Sequence, residues 1–344
     1  MGGYATNVSV LYDNIYEDDE DGVNLPDIWV NLPVGTWSDQ ESQNLCNKFG
    51  EDFPVGSPRI DKCEPRLVLD GTLFHLGNPV TAVWHGIDEG EVDKVWIPEH
   101  DCCEGRIAQT ATEVVIDVHV AEALDISVGS SVSLGAGEGR MNFTVVGLGY
   151  QSSHFWFVPE GSLFPAEEGT YVTGYLTSEG LENLANLTSG SSNKILIDLE
   201  GTPGFDLPTT DKFEGDEIGP VKAHIMDVLL EADSGTATVN DRGETFSVEL
   251  LRADLEGAQK SFPAVTTMLV IVASITIIIS LQRLIQSQSR EIAIMRTLGV
   301  PRNSIMVGYM LAPLIIGLIG SSIGVLLGVL FGIRAMLDVY EEII

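Results

Sequence analysis

The chain has 344 residues and a formal net charge of −32, and that charge is distributed unevenly. Residues 1–260 hold 46 acidic side chains against 13 basic ones, whereas residues 261–344 hold 4 against 5. The acidic segment of residues 1–260 would repel nucleic acid and an anionic membrane surface, which argues against both as its partners. Because 44% of the residues are hydrophobic, a disordered chain is excluded as well.

The acidic excess, with only 7 lysines in the chain, favours a protein adapted to high salt. At about 1 M salt the Debye length falls to about 3 Å, so the mutual repulsion of the carboxylates is screened. An ordinary acidic domain is the alternative interpretation.

Residues 1–260 predict an α+β domain, arranged in one or two lobes. Apolar runs of strand length, many of them bounded by Gly, Pro or Asp, lie at residues 27–32, 66–69, 80–84, 92–97, 113–116, 143–146, 155–158 and 194–199. Helical patterns lie at residues 118–124, 178–187, 221–231 and 246–259. The last pattern runs almost directly into an apolar segment, so we expect a stiff stalk there despite Gly257.

Three Asn-X-Ser/Thr sequons lie in this domain, at Asn7, Asn142 and Asn186. Sequons are glycosylation acceptors on the surface of proteins outside the cytoplasm. These asparagines are therefore candidate glycosylation sites, in agreement with an outer location of the domain.

Four cysteines are confined to the same domain: Cys46, Cys63, Cys102 and Cys103. Outer compartments permit disulfides, and four cysteines allow three pairings that the sequence does not decide. We favour bonds that join Cys46 and Cys63 to one each of the vicinal pair. A metal site that includes His100 is the alternative, but it lacks the usual Cys-X-X-Cys spacing, so no metal is assigned.

Two long runs without charged residues follow, at residues 261–282 and 303–333. About 20 apolar residues span the hydrocarbon core of a bilayer, so both runs predict transmembrane helices. Buried core helices of a soluble protein are a poor alternative, because two such runs lie so close together. The second run carries Gly320, Gly324, Gly328 and Gly332 at intervals of four. Such a stripe lets another helix approach closely and predicts a helix-packing face.

Residues 283–302 form the connecting loop between the two runs. Four arginines, Arg283, Arg290, Arg296 and Arg302, are opposed there only by Glu291. Short Arg-rich loops stay in the cytoplasm, so we expect this loop inside and residues 1–260 and 334–344 outside. The polar start of the chain offers no segment that would carry the domain across the membrane. We therefore expect a transmembrane helix to precede it in the complete protein.

The connecting loop also predicts a short amphipathic helix from residue 284 to residue 298. Ile292, Met295 and Leu298 recur at helical spacing, Gly299 is a natural C-cap, and Pro301 follows it. Apolar side chains exposed to the cytosol indicate a partner. A plain amphipathic hairpin at the membrane surface is the alternative.

No catalytic motif emerges from the sequence. No Gly precedes any Lys, so a phosphate-binding P-loop is absent. If ATP drives this protein, the ATPase is another chain. We expect neither an enzyme nor a cofactor.

The segment SQSREIAIMRTLGVPRNSIMVGYMLAPLIIGLIGSSIGVLLG resembles the FtsX/MacB/LolC family of ABC-transporter permeases. In that family an R-EI-(I/L)-(R/K)-LG-type loop joins two membrane helices and a Gly-rich helix follows. The matching residues are Arg290, Glu291, Ile292, Ile294, Arg296, Leu298 and Gly299, then Gly320, Gly324 and Gly328. The segment EVVIDVHVAEALDISVGSSVSLGAGEGRMNFTVVGLG is similar to the family's extracytoplasmic core, which implies a MacB-like outer domain.

The resemblance implies a membrane-spanning permease subunit that couples a cytosolic ATPase mechanically to the outer domain, for export or extraction of a substrate. The ATPase-coupling residues would be Arg290, Glu291, Ile292, Met295, Arg296, Leu298 and Gly299. The implied partners are a cytosolic ABC ATPase, a second permease chain in a homodimer or heterodimer, and the lipid bilayer. The alternative is a membrane-anchored extracytoplasmic binding or sensor protein, which needs neither the coupling face nor the glycine stripe.

Overall fold

The structure is a computed structural model that describes residues 24–32, 37–75, 78–88, 90, 92–97, 103–151, 166–167, 169–201, 217–232, 237–244, 246–328 and 330. The chain divides into two compact units, which are described separately. The sheet unit is Val8–Ala253, and the helical unit contains Asp254–Ile344.

In chain order the strands are β1 Ile28–Asn31, β2 Trp37–Ser38, β3 Ile60–His75, β4 Asn78–Gly86, β5 Glu104–Gly105, β6 Glu113–Asp117, β7 Ser131–Ala136, β8 Gly139–Gly149, β9 Tyr171–Leu176, β10 Ser191–Ser192, β11 Lys194–Leu199 and β12 Thr238–Asp241. The α-helices are α1 Asp39–Phe49, α2 Val118–Ala123, α3 Ser178–Ala185, α4 Ile218–Glu231, α5 Phe246–Ser287, α6 Ser289–Thr297 and α7 Arg302–Leu327.

Most strands of the sheet unit belong to one mixed sheet. Within the described residues it has ten strands in the order β12-β1-β11-β3-β4-β9-β6-β8-β5, with β7 paired to β3 and β8. β3 is 16 residues long. Its first half pairs with β11 and its second half with β4 and β7, so this one strand runs through both halves of the sheet.

Two hydrophobic cores lie against this sheet. The first contains residues of β3, β4 and β6 to β9 with α2 and α3. The second contains residues of β1, β11 and β12 with α1 and α4. The α+β class predicted from the sequence is confirmed.

Trp84 is the largest buried side chain of the first core. Its side chain is fully buried, and its Nε1–H donates to the carbonyl oxygen of Gly135 at 2.9 Å. Two glycines make room for the ring. A Cβ at Gly71 would lie 2.1 Å from Trp84 Nε1, and one at Gly174 would lie 2.5 Å from the six-membered ring. Neither position can hold a side chain without displacing the indole.

The sequence did not predict helix α1, because most of its residues are polar. A capping box starts the helix: the Ser38 hydroxyl accepts from the Glu41 N–H at 3.3 Å, and the Glu41 carboxylate accepts from the Ser38 N–H at 3.0 Å. Leu45, Cys46 and Phe49 are its buried apolar residues and face the second core. Only three apolar side chains of this helix are therefore buried in the core.

The disulfide pairing expected from the sequence is wrong. Cys46 of α1 is bonded to Cys63 of β3, with the two Cα atoms 5.9 Å apart. This bond fastens α1 to the sheet inside the second core, where both cysteines pack. Cys103 is also disulfide-bonded, and Cys102 lies outside the described residues. The pairing depends on α1, which the sequence did not predict.

Most predicted elements are confirmed, among them the strands at 27–32, 66–69, 80–84, 113–116, 143–146 and 194–199 and all four helices. The strand predicted at 92–97 is wrong, because this segment makes only a single bridge between Trp96 and Tyr150. Arg66 donates instead to the carbonyl oxygens of Val92 and Asp93, at 2.7 and 3.1 Å. The strand predicted at 155–158 lies outside the described residues.

Candidate functional site

Two helical segments are long and apolar enough to cross a membrane. They are Pro263–Ser287, the last 25 residues of α5, and Arg302–Leu327, the 26 residues of α7. Their large apolar side chains are exposed, as for Leu269 at 65% and Ile316 at 70%. A core helix of a soluble protein would bury such side chains, whereas lipid covers them in a transmembrane helix.

Several hydroxyl groups within these segments donate to carbonyl oxygens of their own helices. Ser274 donates to the carbonyl oxygen of Val270 at 2.7 Å, and Thr276 donates to that of Val272 at 2.9 Å. Water is absent from the hydrocarbon core, so polar groups there need partners within the protein. These contacts suit residues that cross a bilayer.

The connecting loop contains α6, a separate helix of nine residues. The sequence predicted a start at residue 284, but residues 284–287 complete α5, and the break falls at Gln288. At the other end, Gly299 N–H donates to the Arg296 carbonyl and Val300 N–H to the Met295 carbonyl, both at 3.1 Å. These two bonds form a Schellman motif, and Gly299 has the positive φ of 86° that the motif requires.

The inner face of α6 is formed by Ile292 and Met295. Ile292 and Met295 are half-buried. Met295 lines a small open pocket of about 210 Å³ together with Val300, Ile305 and Tyr309. The first turns of α7 therefore line the same pocket as Met295, which is half-buried.

The outer face of α6 is apolar and uncovered. Ile294 is 51% exposed and Leu298 is 77% exposed. These two residues are four apart, so they lie side by side on the helix. Arg290 and Glu291 precede Ile294 by four and three residues and lie on the same side. The outer face of α6 is thus Arg290, Glu291, Ile294 and Leu298.

The charges of the connecting loop are available to a partner. Arg290, Glu291 and Arg296 are exposed, and among the described residues none of them takes part in an ion pair. Arg296 lies five residues from Glu291 and projects from the opposite flank of α6. The carboxylate of Glu291 and the guanidinium of Arg290 therefore border the two exposed apolar residues of the outer face. Arg296 does not.

The glycine stripe lies on α7. Gly320, Gly324 and Gly328 are exposed, and a Cβ added at any of them would meet no atom within 4 Å. Nothing in the described chain covers this strip of backbone. Gly332 lies outside the described residues.

Two of the three sequons can be placed. Asn142 is exposed on β8, and Asn186 is exposed where α3 ends, with a positive φ of 55°. Both side chains are accessible from solvent. Asn7 lies outside the described residues.

Sequence reasoning grouped the apolar residues of α6 on one face, whereas the structure separates them. It also missed Tyr309, which lines the same pocket as Met295. On a helical wheel Ile292 and Ile294 lie about 160° apart. Met295 lies about 60° from both Ile292 and Leu298, so periodicity alone does not divide these residues into two faces. The sequence does not show which of these two faces α7 covers.

Together, an α+β sheet unit, two helices that suit a bilayer and a capped, charged helix between them define a membrane-anchored protein with a domain outside the membrane. Residues 264–343 match the family described as FtsX-like permease C-terminal. The resemblance suggested by the loop sequence is therefore confirmed for this part of the chain. No curated protein matches the chain.

Two solved structures similar to the chain are extracytoplasmic regions of transporters. One is the extracellular domain of the noncanonic ABC-type transporter YknZ from Gram-positive bacteria, at 13% identity and TM-score 0.37, covering 62% of this chain and 99% of that one. Another is the periplasmic region of MacB from Actinobacillus actinomycetemcomitans, at 11% identity and TM-score 0.36, covering 68% of this chain and 94% of that one.

Proposed function

We propose that this chain is the permease subunit of an ABC transporter, and that its connecting loop docks a cytosolic ATPase. The observation that carries the proposal is the exposed apolar face of α6, within the segment that matches the FtsX-like permease family. Exposed Ile294 and Leu298 on a capped helix of nine residues favour a protein partner that covers them. An amphipathic helix that lies in a groove is a common mode of such recognition.

The charges on this face indicate the chemistry of the groove. Arg290 suits a carboxylate at its rim, and Glu291 suits a basic group beside that carboxylate. A lipid surface is a poorer match, because Glu291 would face the anionic headgroups of the inner leaflet. We therefore assign the outer face of α6 to the ATPase, and Met295, Ile292 and Gly299 to the shape of the hairpin that presents it.

Mechanically, the loop would pass the closure of two ATPase subunits to α5 and so to the outer domain. The glycine stripe of α7 would pack against a second permease helix, in a homodimer or a heterodimer. The work of the complex would be export or extraction of a substrate. Neither the exposed face of α6 nor the stripe has a task in a membrane-anchored binding or sensor protein.

Co-expression with each ABC ATPase of the same genome tests the proposal. The full-length permease should co-purify with one ATPase and stimulate its ATP hydrolysis. Leu298→Glu should abolish both effects, because it places a charge in an apolar groove. Met295→Glu should also reduce both, because it disturbs the packing of α6 on α7. Glu167→Gln, an exposed change in the sheet unit, is the control and should alter neither. Intact binding and stimulation in Leu298→Glu would favour the anchored binding protein instead.

A further inference from the structure

The chain enters and leaves the described sheet at the same place. β1 begins at Ile28, β12 ends at Asp241, and these two residues are paired across the antiparallel ladder. Asp27 and Arg242 are therefore neighbours, and the long helix α5 starts four residues after Arg242, at Phe246. Along the chain, α5 is joined to the sheet through Arg242 and β12.

β12 alone would be a weak attachment for a moving helix. It has only four residues, and among the described strands it pairs only with β1. Its other edge pairs with no strand among the described residues, so a pull on its end would break its hydrogen bonds to β1 one after another. A helix that drives the sheet through β12 needs a firmer connection.

Arg242 supplies that connection from inside the domain. It is 1% exposed, and its guanidinium contacts the carboxylate of the fully buried Asp27. The guanidinium also donates to the carbonyl oxygen of Leu25 at 3.2 Å, and the Arg242 N–H donates to the Asp27 carbonyl at 3.0 Å. The other carboxylate oxygen of Asp27 accepts from the N–H of Leu199 in β11, at 2.8 Å. Arg242 is thus linked through one side chain to a third strand.

Lys222 of α4 holds the same segment through two ion pairs. Its ammonium group contacts Asp241 at 3.0 Å and Glu244 at 2.9 Å. Glu244 in turn accepts from the side-chain amide of Asn240 at 2.6 Å. The last residues before α5 are therefore fixed by both a helix and a strand of the second core.

We propose that Asp27, Lys222, Asp241, Arg242 and Glu244 form a force-bearing clamp, which passes displacement of α5 into three strands and a helix instead of peeling β12 from the edge. A buried ion pair is weak evidence for stability, because well-packed apolar residues can replace it at little cost. Its position at the junction with α5 gives it a mechanical task that apolar packing would not perform as well. The clamp rests on the proposed function, in which α5 transmits motion.

Single-molecule pulling on the full chain in detergent tests the clamp without an ATPase. One handle is attached at Glu138, in the exposed turn after β7, and the other at Gly257 in α5. The wild type should extend only when the second core unfolds. Asp27→Leu/Arg242→Met, which keeps the site filled, should show an earlier step at lower force. That step should be at most about 30 Å, because residues 238–246 reach about 3.3–3.6 Å each when extended.

Two further variants keep the result interpretable. Lys222→Met removes the more exposed half of the clamp and should lower the force of the first event without unfolding the domain. Arg140→Met, which removes a guanidinium stacked 3.7 Å from the ring centre of Phe74 in the other half of the sheet, should leave the trace unchanged. An early step in the wild type at the same force, or none in the double variant, would overturn the clamp.

The reconstituted complex separates this proposal from the proposed function. Asp27→Leu/Arg242→Met should keep ATPase binding and stimulation, because α6 is untouched. It should lose the ATP-dependent change in fluorescence of a dye placed at Asn186 in the sheet unit. If wild type and variant show the same dye response, the clamp is wrong and the permease assignment stands. If neither binds an ATPase, the permease assignment fails and the pulling result decides the clamp by itself.

Discussion

Truncation of Leu298 tests which face of α6 meets the ATPase. Full burial of a leucine side chain contributes about 1.5–3 kcal/mol. Leu298 is 77% exposed, so about three quarters of that is available to a partner. Leu298→Ala should therefore weaken binding by about 1–2 kcal/mol, which is about 5–30-fold in Kd. Ile294→Ala should cost less, because Ile294 is only 51% exposed.

The assay is a titration of the purified ATPase against the permease in nanodiscs, by biolayer interferometry. Leu318→Ala, a matched truncation of a side chain on α7 that is 60% exposed, is the control and should leave Kd unchanged. Met295→Ala should change Kd less than Leu298→Ala, because Met295 is already half-buried beside the first turns of α7. If Met295→Ala weakens binding more than Leu298→Ala does, the assignment of the two faces is reversed. If neither changes Kd, α6 does not touch the ATPase.

Further predictions concern the sheet unit. Cys46→Ala/Cys63→Val should lower its free energy of unfolding by about 3 kcal/mol, the loop-closure entropy of a bond across 17 residues, and an unchanged urea midpoint would contradict this. The hydrogen-bonded Arg106 holds the pKa of Glu113 down to about 2. The pair therefore contributes its full stabilisation of the sheet unit above the ordinary pKa of 4.5 and loses it as the pH falls through about 2. The melting temperatures of the wild type and Glu113→Gln should differ at neutral pH and converge near that lower pH; a constant difference would argue against the pairing. The unit should also lose stability as salt is lowered to about 0.1 M, where the Debye length is about 10 Å, and circular dichroism with equal stability at high and low salt would refute the halophilic interpretation.

Local patterns predicted the elements that depend on local chemistry. β11 was found with its observed limits because KILIDL is a short apolar run, and its last five residues are buried. The C-cap at Gly299 followed from glycine's tolerance of positive φ. Helix α1 was missed because its start is set by the capping box of Ser38 and Glu41 rather than by a long apolar stripe.

Features that depend on distant contacts could not be predicted. The pairing of Cys46 with Cys63 follows from the packing of α1 on β3, which the sequence does not reveal. Residues 92–97 have the composition of a strand, yet the buried side chain of Arg66 takes two of their carbonyl groups. The separation of α6 into a covered and an uncovered face depends on the turn at Gly299. Periodicity identifies an apolar helix but does not tell which face a neighbouring helix will cover.

Photocross-linking from α6 in native membranes tests the central claim most directly. A photoreactive amino acid at position 298 should give a covalent product with an ABC ATPase, identified by mass spectrometry through peptides that contain its Walker motif. The same group at position 295 should react mainly within its own chain, near Tyr309. Products at position 298 that contain only lipid or the permease itself would contradict the account.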